Sequence, residues 1–191
     1  MIHHRLALLA ACIAVIFVAR AQMALAQETQ TEEMERREKV LATAPAGAAK
    51  VLFGRQRDAA PMSARSIGGF ARGCLAGASA LPVDGSNWQV MRLARNRNWG
   101  HPELITLLER LAKQGPSIGW SGLLVGDMSQ PRGGPMLTGH ASHQIGLDAD
   151  VWLTPMPDRT LTHREREDMS ATSMLKSWDA VDPTIWTEKH A

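Results

Sequence analysis

Two histidines and two aspartates lie close together in the segment GHASHQIGLDADVWL, residues 139–153. These four candidate metal-binding residues are His140, His143, Asp148 and Asp150. If the residues after Gly146 form a strand, both aspartates point to one face, and the glycine can turn that face toward His143. Imidazole and carboxylate ligands suit zinc, whose catalytic sites take three protein ligands and leave one position for water. The segment therefore predicts a zinc site, and hydrolysis is the chemistry that such a site performs at neutral pH.

A turn without any metal is the alternative explanation of the same segment. Aspartates cap and bend the backbone, and for that reason they often occur in turns without binding anything. The pair His143 and Asp150, seven residues apart, is an incomplete ligand set by itself. The HExxH pattern of the zincins is also missing, because no glutamate follows either histidine at the required spacing.

The first 26 residues have the composition of a secretory signal peptide. A short basic start is followed by an apolar run over residues 6–19 and by the A-x-A site Ala24-Leu25-Ala26. A lipoprotein box ending at Cys12 is the alternative, although the apolar run continues beyond it. The run is too short for a comfortable membrane span. We therefore expect a periplasmic or secreted protein without a membrane span after cleavage.

Cleavage of this peptide would change the charge and the cysteine count. It would remove two of the 21 basic residues and none of the 19 acidic ones, leaving 19 of each. A nearly neutral chain gives no reason to expect nucleic acid or an anionic membrane as a partner. Cys74 would become the sole cysteine, which is consistent with intermolecular pairing, a reactive thiol, a missing partner or a small buried hydrophobe.

The order of the predicted elements indicates an α+β domain. A polar, alanine-rich leader, loosely helical or mobile, is predicted over residues 27–61, and the domain over residues 62–191. The predicted elements are strands within 87–95, 122–129 and 148–153, and helices within 100–116 and 161–178. Their order lacks the alternation of strand and helix that a doubly wound parallel sheet requires.

The helix within residues 100–116 has the clearest pattern. Pro102 fits the first helical position, and the pair Gly115-Pro116 fits its end. The predicted apolar face consists of Leu104, Leu107, Leu108 and Leu111.

Four segments resemble one known family in the order in which they occur. They are SIGGFARGCLAGASALP, WQVMRLARNRNWGHPEL, GLLVGDMSQPRGG and GHASHQIGLDADVWL. The chain resembles the penicillin-insensitive murein endopeptidases, which are zinc peptidases, from about Ser63 to its end. The resemblance implies an α+β fold around a small antiparallel sheet. It also implies cleavage of peptidoglycan cross-link peptides in the periplasm.

The resemblance also implies roles for individual residues. His143 and Asp150 match the zinc-binding histidine and aspartate of the family, and His140 matches a histidine assigned as a further ligand. Asp148 matches an acidic position from which a carboxylate can orient His143. Cys74 resembles one half of a disulfide.

In this family a later H-x-H segment supplies the remaining zinc ligand and the catalytic base. No H-x-H occurs in these 191 residues, and the histidines after Asp150 are His163 and His190. A solvated surface position is expected for His163, and His101 is expected at the start of a helix or in a loop. No catalytic residue can therefore be assigned, and we expect a chain that corresponds to the N-terminal portion of the family fold and has impaired activity.

A periplasmic protein that binds peptidoglycan without cleaving it is the second functional hypothesis. Six tryptophans could provide stacking surfaces for such a partner. The chain has no tyrosine and three phenylalanines, however, so its tryptophans are expected to fill the core.

Overall fold

A computed structural model of the protein describes residues 32–171, 175–177 and 180–181. The predicted signal peptide, Cys12 and His190 lie outside the described residues. The helices are α1 (residues 32–43), α2 (Ala49–Gly54), α3 (Pro102–Gln114) and α4 (His163–Asp168). The strands are β1 (Arg65–Gly69), β2 (Arg72–Ala76), β3 (Ser79–Ala80), β4 (Asp84–Gly85), β5 (Trp88–Val90), β6 (Trp99–Gly100), β7 (Leu123–Val125), β8 (Val151–Trp152), β9 (Leu175–Ser177) and β10 (Ala180–Val181).

A small four-stranded sheet, in the order β4-β5-β7-β8, organises the domain. Its outer pairs are antiparallel, whereas β5 and β7 are parallel and are joined through α3. Three further antiparallel pairs form beside it, β1 with β2, β3 with β6 and β9 with β10. The predicted α+β class is confirmed, and the parallel pair is the one departure from an antiparallel central sheet.

The core lies on both faces of this sheet because side chains alternate along each strand. Trp88 and Val90 of β5, with Leu123 and Val125 of β7, face α3. Leu124, between the last two, faces the opposite side together with a second cluster of buried residues. The tryptophans Trp88, Trp120 and Trp152 are buried, which confirms that they fill the core.

Helix α3 has the predicted bounds, but its buried face is rotated. The side chain of His101 accepts a hydrogen bond from the Glu103 N–H and caps the helix. Leu104 and Leu108 are buried as predicted, and Ile105 and Ala112 are buried with them. The prediction was wrong for two leucines, Leu107 and Leu111, which are 50% and 46% exposed. The residues that meet the sheet lie along positions 104, 108 and 112 of the helix. Because a helical turn has 3.6 residues, Leu107 and Leu111 lie beside this line and are exposed to solvent.

The predicted helix within residues 161–178 is much shorter than expected. Helix α4 ends at Asp168, and residues 175–177 form β9. A capping box between Thr162 and Glu165 fixes its start, and Met169 adopts an extended conformation at its end. Buried Arg166 holds α4 against the sheet by donating to the carbonyls of Val83 and Val90. These tertiary contacts decide the length of the helix.

We expect the Glu165 capping box to make stability depend on acid. A salt-linked hydrogen bond from Arg159 and hydrogen bonds from Thr162 lower the pKa of Glu165 to about 2 from its ordinary 4.5. A carboxylate with a lowered pKa stabilises the fold above its unfolded-state pKa, and this contribution is lost as pH falls from 4.5 toward 2. Urea midpoints of the wild type and Glu165→Gln should therefore differ at pH 6 and converge at low pH. The control is Glu35→Gln, at an exposed position of α1, whose midpoint should equal that of the wild type at both pH values.

The described part of the predicted leader contacts the rest of the chain. Val51 of α2 is completely buried, and Arg37 of α1 donates to the Ala94 carbonyl at 3.3 Å. Glu33 of α1 accepts a hydrogen bond from the Thr138 hydroxyl. The division at residue 62 stays a prediction. Among the described helices, none is long and apolar enough to span a bilayer.

Candidate metal centre

The strand predicted after Gly146 is short, but the sheet still positions Asp150. β8 contains only Val151–Trp152, so the prediction of a strand over residues 148–153 was wrong for residues 148–150 and 153. Two backbone hydrogen bonds extend the pairing beyond β8, from the Gly126 N–H to the Asp150 carbonyl at 2.7 Å and from the Asp150 N–H to the Asp127 carbonyl at 2.9 Å. Asp150 therefore lies beside Asp127, at the end of β7.

A tight turn brings His143 back toward these carboxylates. His143 and Gly146 both have left-handed backbone angles, with φ of 65° and 68°. The turn is held by the His101 N–H, which donates to the Gly146 carbonyl at 2.8 Å. On its other side, the Gln144 N–H donates to the Phe70 carbonyl, and the Gln144 carbonyl accepts from the Gly134 N–H. A left-handed conformation at a residue other than glycine is costly, and such residues concentrate at functional sites.

The turn assembles the three predicted ligands. One ligand atom from each of His140, His143 and Asp150 lies within 4.8 Å of the others. The Nε2 atoms of His143 and His140 are 3.5 and 3.7 Å from the two carboxylate oxygens of Asp150. Ligand atoms about 2.1 Å from a tetrahedral zinc are about 3.4 Å apart, so the spacing fits this ion.

The environment of His143 also fits metal binding. Its ring is buried, and neither ring nitrogen makes a hydrogen bond of good geometry within the described residues. A buried polar group without a partner is costly, and a metal would satisfy it. Asp148 Oδ2 lies 2.7 Å from Nδ1 and leaves Nε2 directed at Asp150. This position supports the orienting role that the resemblance implies for Asp148.

The charges of the site couple metal binding to protonation. Burial opposes the charged form of His143, but the carboxylates of Asp150 and Asp148 outweigh it and raise the pKa of the imidazole. His143 in turn lowers the pKa of Asp150. Since a metal binds the neutral imidazole, it must displace a proton from this pair, and metal affinity should fall in acid.

Asp127 is a residue of this site that sequence reasoning missed. Its carboxylate is buried, and a single oxygen, Oδ2, lies 2.7 Å from Arg97, 2.9 Å from Arg95 and 3.4 Å from His140 Nε2. The other oxygen, Oδ1, is buried without a hydrogen bond from any described residue. The signal that could have indicated it is an aspartate two residues after the end of the apolar strand Leu123–Val125.

The remaining candidate residues lie outside the cluster. His101 caps α3, as predicted. The side chain of His163 is 69% exposed and lies 3.9 Å from Glu167, as expected for a surface residue. Cys74 is half-buried in β2 and forms no disulfide within the described residues, so its pairing stays a prediction.

Gly146→Ala should damage both the turn and the metal centre. The left-handed φ of 68° opposes a side chain, and an added Cβ would lie 2.5 Å from Leu75 Cδ2 and 3.1 Å from the His101 nitrogen. We expect a loss of about 1–3 kcal/mol in the free energy of urea unfolding and weaker metal binding. Gly69→Ala is the matched control, because a Cβ at Gly69 would meet no atom within 4 Å. Equal stability of the two variants would contradict the proposed role of the turn.

Comparison with known proteins identifies the family. A family model described as penicillin-insensitive murein endopeptidase matches residues 66–191, about two thirds of the chain. The chain belongs to the penicillin-insensitive murein endopeptidase family. The matched segment begins in β1 and contains all the residues of the candidate metal centre, whereas α1 and α2 precede it.

Relatives named penicillin-insensitive murein endopeptidase are similar over the same region. The Haemophilus influenzae protein is 42% identical over 130 residues, covering 67% of this chain and 45% of the relative. The Citrobacter koseri protein is 41% identical over 127 residues, covering 66% and 46%. A protein from Escherichia coli O6:K15:H31 is 39% identical over 126 residues, with the same two shares. The chain thus spans about half the length of the curated relatives it matches.

Proposed function

We propose that this protein is a zinc-dependent endopeptidase that cleaves the peptide cross-links of peptidoglycan in the periplasm. Membership of the murein endopeptidase family supports the reaction and its substrate class. The observation that carries the zinc dependence is the convergence of His140, His143 and Asp150, whose ligand atoms lie within 4.8 Å of one another. The predicted signal peptide supports the periplasmic location.

The three converging side chains would hold the zinc. When bound, zinc supplies a nucleophilic water near neutral pH and polarises a carbonyl group. His143 is buried, whereas His140 and Asp150 are 36% and 44% exposed. The centre is thus anchored on its inner side by the turn and is open to a peptide on its outer side.

Two carboxylates lie next to the ligands. Asp148 Oδ2 lies 2.7 Å from Nδ1 of His143 and would hold the ring so that Nε2 is the nitrogen left for a metal. Asp127 Oδ2 lies 3.4 Å from Nε2 of His140 and forms ion pairs with Arg95 and Arg97. Because the two arginines hold Asp127, its carboxylate stays beside the nitrogen of His140 that would face the metal, and its charge would favour a cation there.

The proposal is tested by measuring zinc and peptidoglycan cleavage on the same preparation. The protein is purified from the periplasm, its zinc content is measured by mass spectrometry, and it is incubated with cross-linked peptidoglycan. We expect bound zinc and conversion of cross-linked dimers to monomers, with loss of conversion after chelation. The H. influenzae relative is the positive control, and a rate far below its rate would support the expectation of impaired activity.

The same assay separates the second hypothesis. Sedimentation of the protein with insoluble peptidoglycan, without bound zinc and without released muropeptides, would overturn the zinc endopeptidase proposal and favour a binding protein. Since Trp88, Trp120 and Trp152 are buried, they are not available as stacking surfaces for such binding.

A further inference from the structure

A cavity of about 370 Å³ lies between α1 and the segment that follows β5. It is separate from the three metal-binding candidates, none of which lines it. Five arginines line this cavity, which we call the arginine pocket: Arg36, Arg37, Arg57, Arg92 and Arg95. Three glutamates share its wall, so the lining carries a net positive charge.

Three of these arginines have no carboxylate partner among the described residues. Arg37 donates to the Ala94 carbonyl at 3.3 Å, and Arg92 to the Met169 carbonyl at 3.0 Å. The guanidinium of Arg57 makes no hydrogen bond or ion pair within the described part of the chain. By contrast, Arg95 is paired with Asp127, and Arg36 lies 3.7 Å from Glu33. Carboxylates such as Glu33 near Arg37 and Glu167 near Arg92 act on these charges only from a distance, without forming an ion pair within the described residues.

Two of the three glutamates of the wall accept hydrogen bonds from other groups. Glu167 accepts a hydrogen bond from the Ala94 N–H at 2.8 Å, and Glu33 accepts one from the Thr138 hydroxyl. Burial and the nearby Arg97 lower the pKa of Arg37, and burial and Arg95 lower that of Arg92. Partly buried like charges are costly to keep together, and an anion between them would relieve this cost.

We propose that the arginine pocket binds an oxyanion, a carboxylate or a phosphate group, between Arg37, Arg57 and Arg92. The planar guanidinium presents paired N–H groups whose geometry matches the oxygens of both groups. The oxyanion could come from a free carboxylate of a peptidoglycan stem peptide, and this origin rests on the function proposed above. Free phosphate is the other origin. α1 contributes part of the pocket from outside the segment matched by the family.

The pocket is connected to the metal centre through one carboxylate oxygen. Arg95 lines the pocket, and its Nη1 lies 2.9 Å from Asp127 Oδ2, which lies 3.4 Å from His140 Nε2. A stem-peptide carboxylate bound in the pocket would therefore hold the peptide beside the metal centre.

Isothermal titration of the full protein with two ligands, at constant ionic strength, tests the proposal. One ligand is inorganic phosphate, and the other is a monomeric disaccharide-tetrapeptide, with its amidated form as the control that lacks carboxylates. We expect saturable binding of at least one anion and none of the amidated form. Arg37→Gln and Arg57→Gln should each weaken Kd about tenfold, as expected for loss of a charged hydrogen bond.

One control variant and one control titration localise the binding. Arg110→Gln removes an exposed arginine of α3 that lies outside the pocket, and it should bind the anion as the wild type does. Titration of the wild type in the presence of a chelator should give an unchanged Kd. Arg57→Gln should fold normally, and unchanged urea midpoints check this. Absence of saturable binding of either ligand would overturn the proposal, as would equal affinity of the pocket variants and the wild type. Loss of binding after chelation would assign the anion to the metal centre and also overturn it. Because binding is measured without hydrolysis, failure of the proposed enzymatic function would not alter these outcomes.

Discussion

Replacing His143 with alanine is expected to abolish stoichiometric zinc binding and, with it, any peptidoglycan cleavage. This side chain is the buried member of the three candidate ligands, and its Nε2 lies 3.5 Å from Asp150. The other two candidates are partly exposed and are held less firmly by the fold. Since changes in residues that merely support a ligand cost about 10–100-fold in metal affinity, loss of the anchoring ligand should cost about 100-fold or more.

The expected result is checked by zinc titration and by release of muropeptides. His163→Ala is the matched control, because this histidine is largely exposed and contacts Glu167 only at 3.9 Å. Circular dichroism should show that both variants keep the fold. Zinc binding by His143→Ala with the affinity of the wild type would show that the metal is held elsewhere.

The second large effect is expected at Asp127, a residue that lies behind the metal centre. Asp127→Ala would leave Arg95 and Arg97 facing each other without the carboxylate that both contact, and the Arg97 side chain is almost completely buried. Removing one partner of a buried ion pair typically costs about 3–5 kcal/mol. We expect a decrease of this size in the free energy of urea unfolding.

Asp127→Asn distinguishes charge from shape at the same position. The amide keeps one oxygen acceptor but no negative charge, so it should destabilise less than alanine. It should still weaken zinc binding, because the negative charge beside Nε2 of His140 is lost. Asp58→Ala is the control, because Asp58 is exposed and Arg132 contacts its backbone carbonyl, which the substitution leaves in place. Similar stabilities of Asp127→Ala and Asp58→Ala would show that the arginines are neutralised by solvent instead.

Local patterns predicted the elements whose chemistry is contained in neighbouring residues. The proline at the start defined α3 because its ring fixes the backbone angle of the first turn. Gly115 marks the end of α3 as predicted, but it keeps right-handed helical angles, with φ and ψ of −47°, and the chain continues into a short 3-10 turn. The strand β7 was predicted because a strand that is buried on both faces has a short, continuous run of apolar residues. The rotation of the α3 face and the early end of α4 were missed, since packing against the sheet decided both.

The sequence by itself determined the residue types of the candidate metal centre, the spacing of His143 and Asp150, and the resemblance to the murein endopeptidases. Only the tertiary structure decided that His140 converges on the same point and that Asp127 stands behind it between two arginines. The pairing of the segment after β7 with the segment before β8 joins residues more than 20 positions apart. The contact of α1 with the loop before His140 joins residues 105 positions apart. Such contacts depend on how separate elements pack, and no short segment of the sequence contains that information.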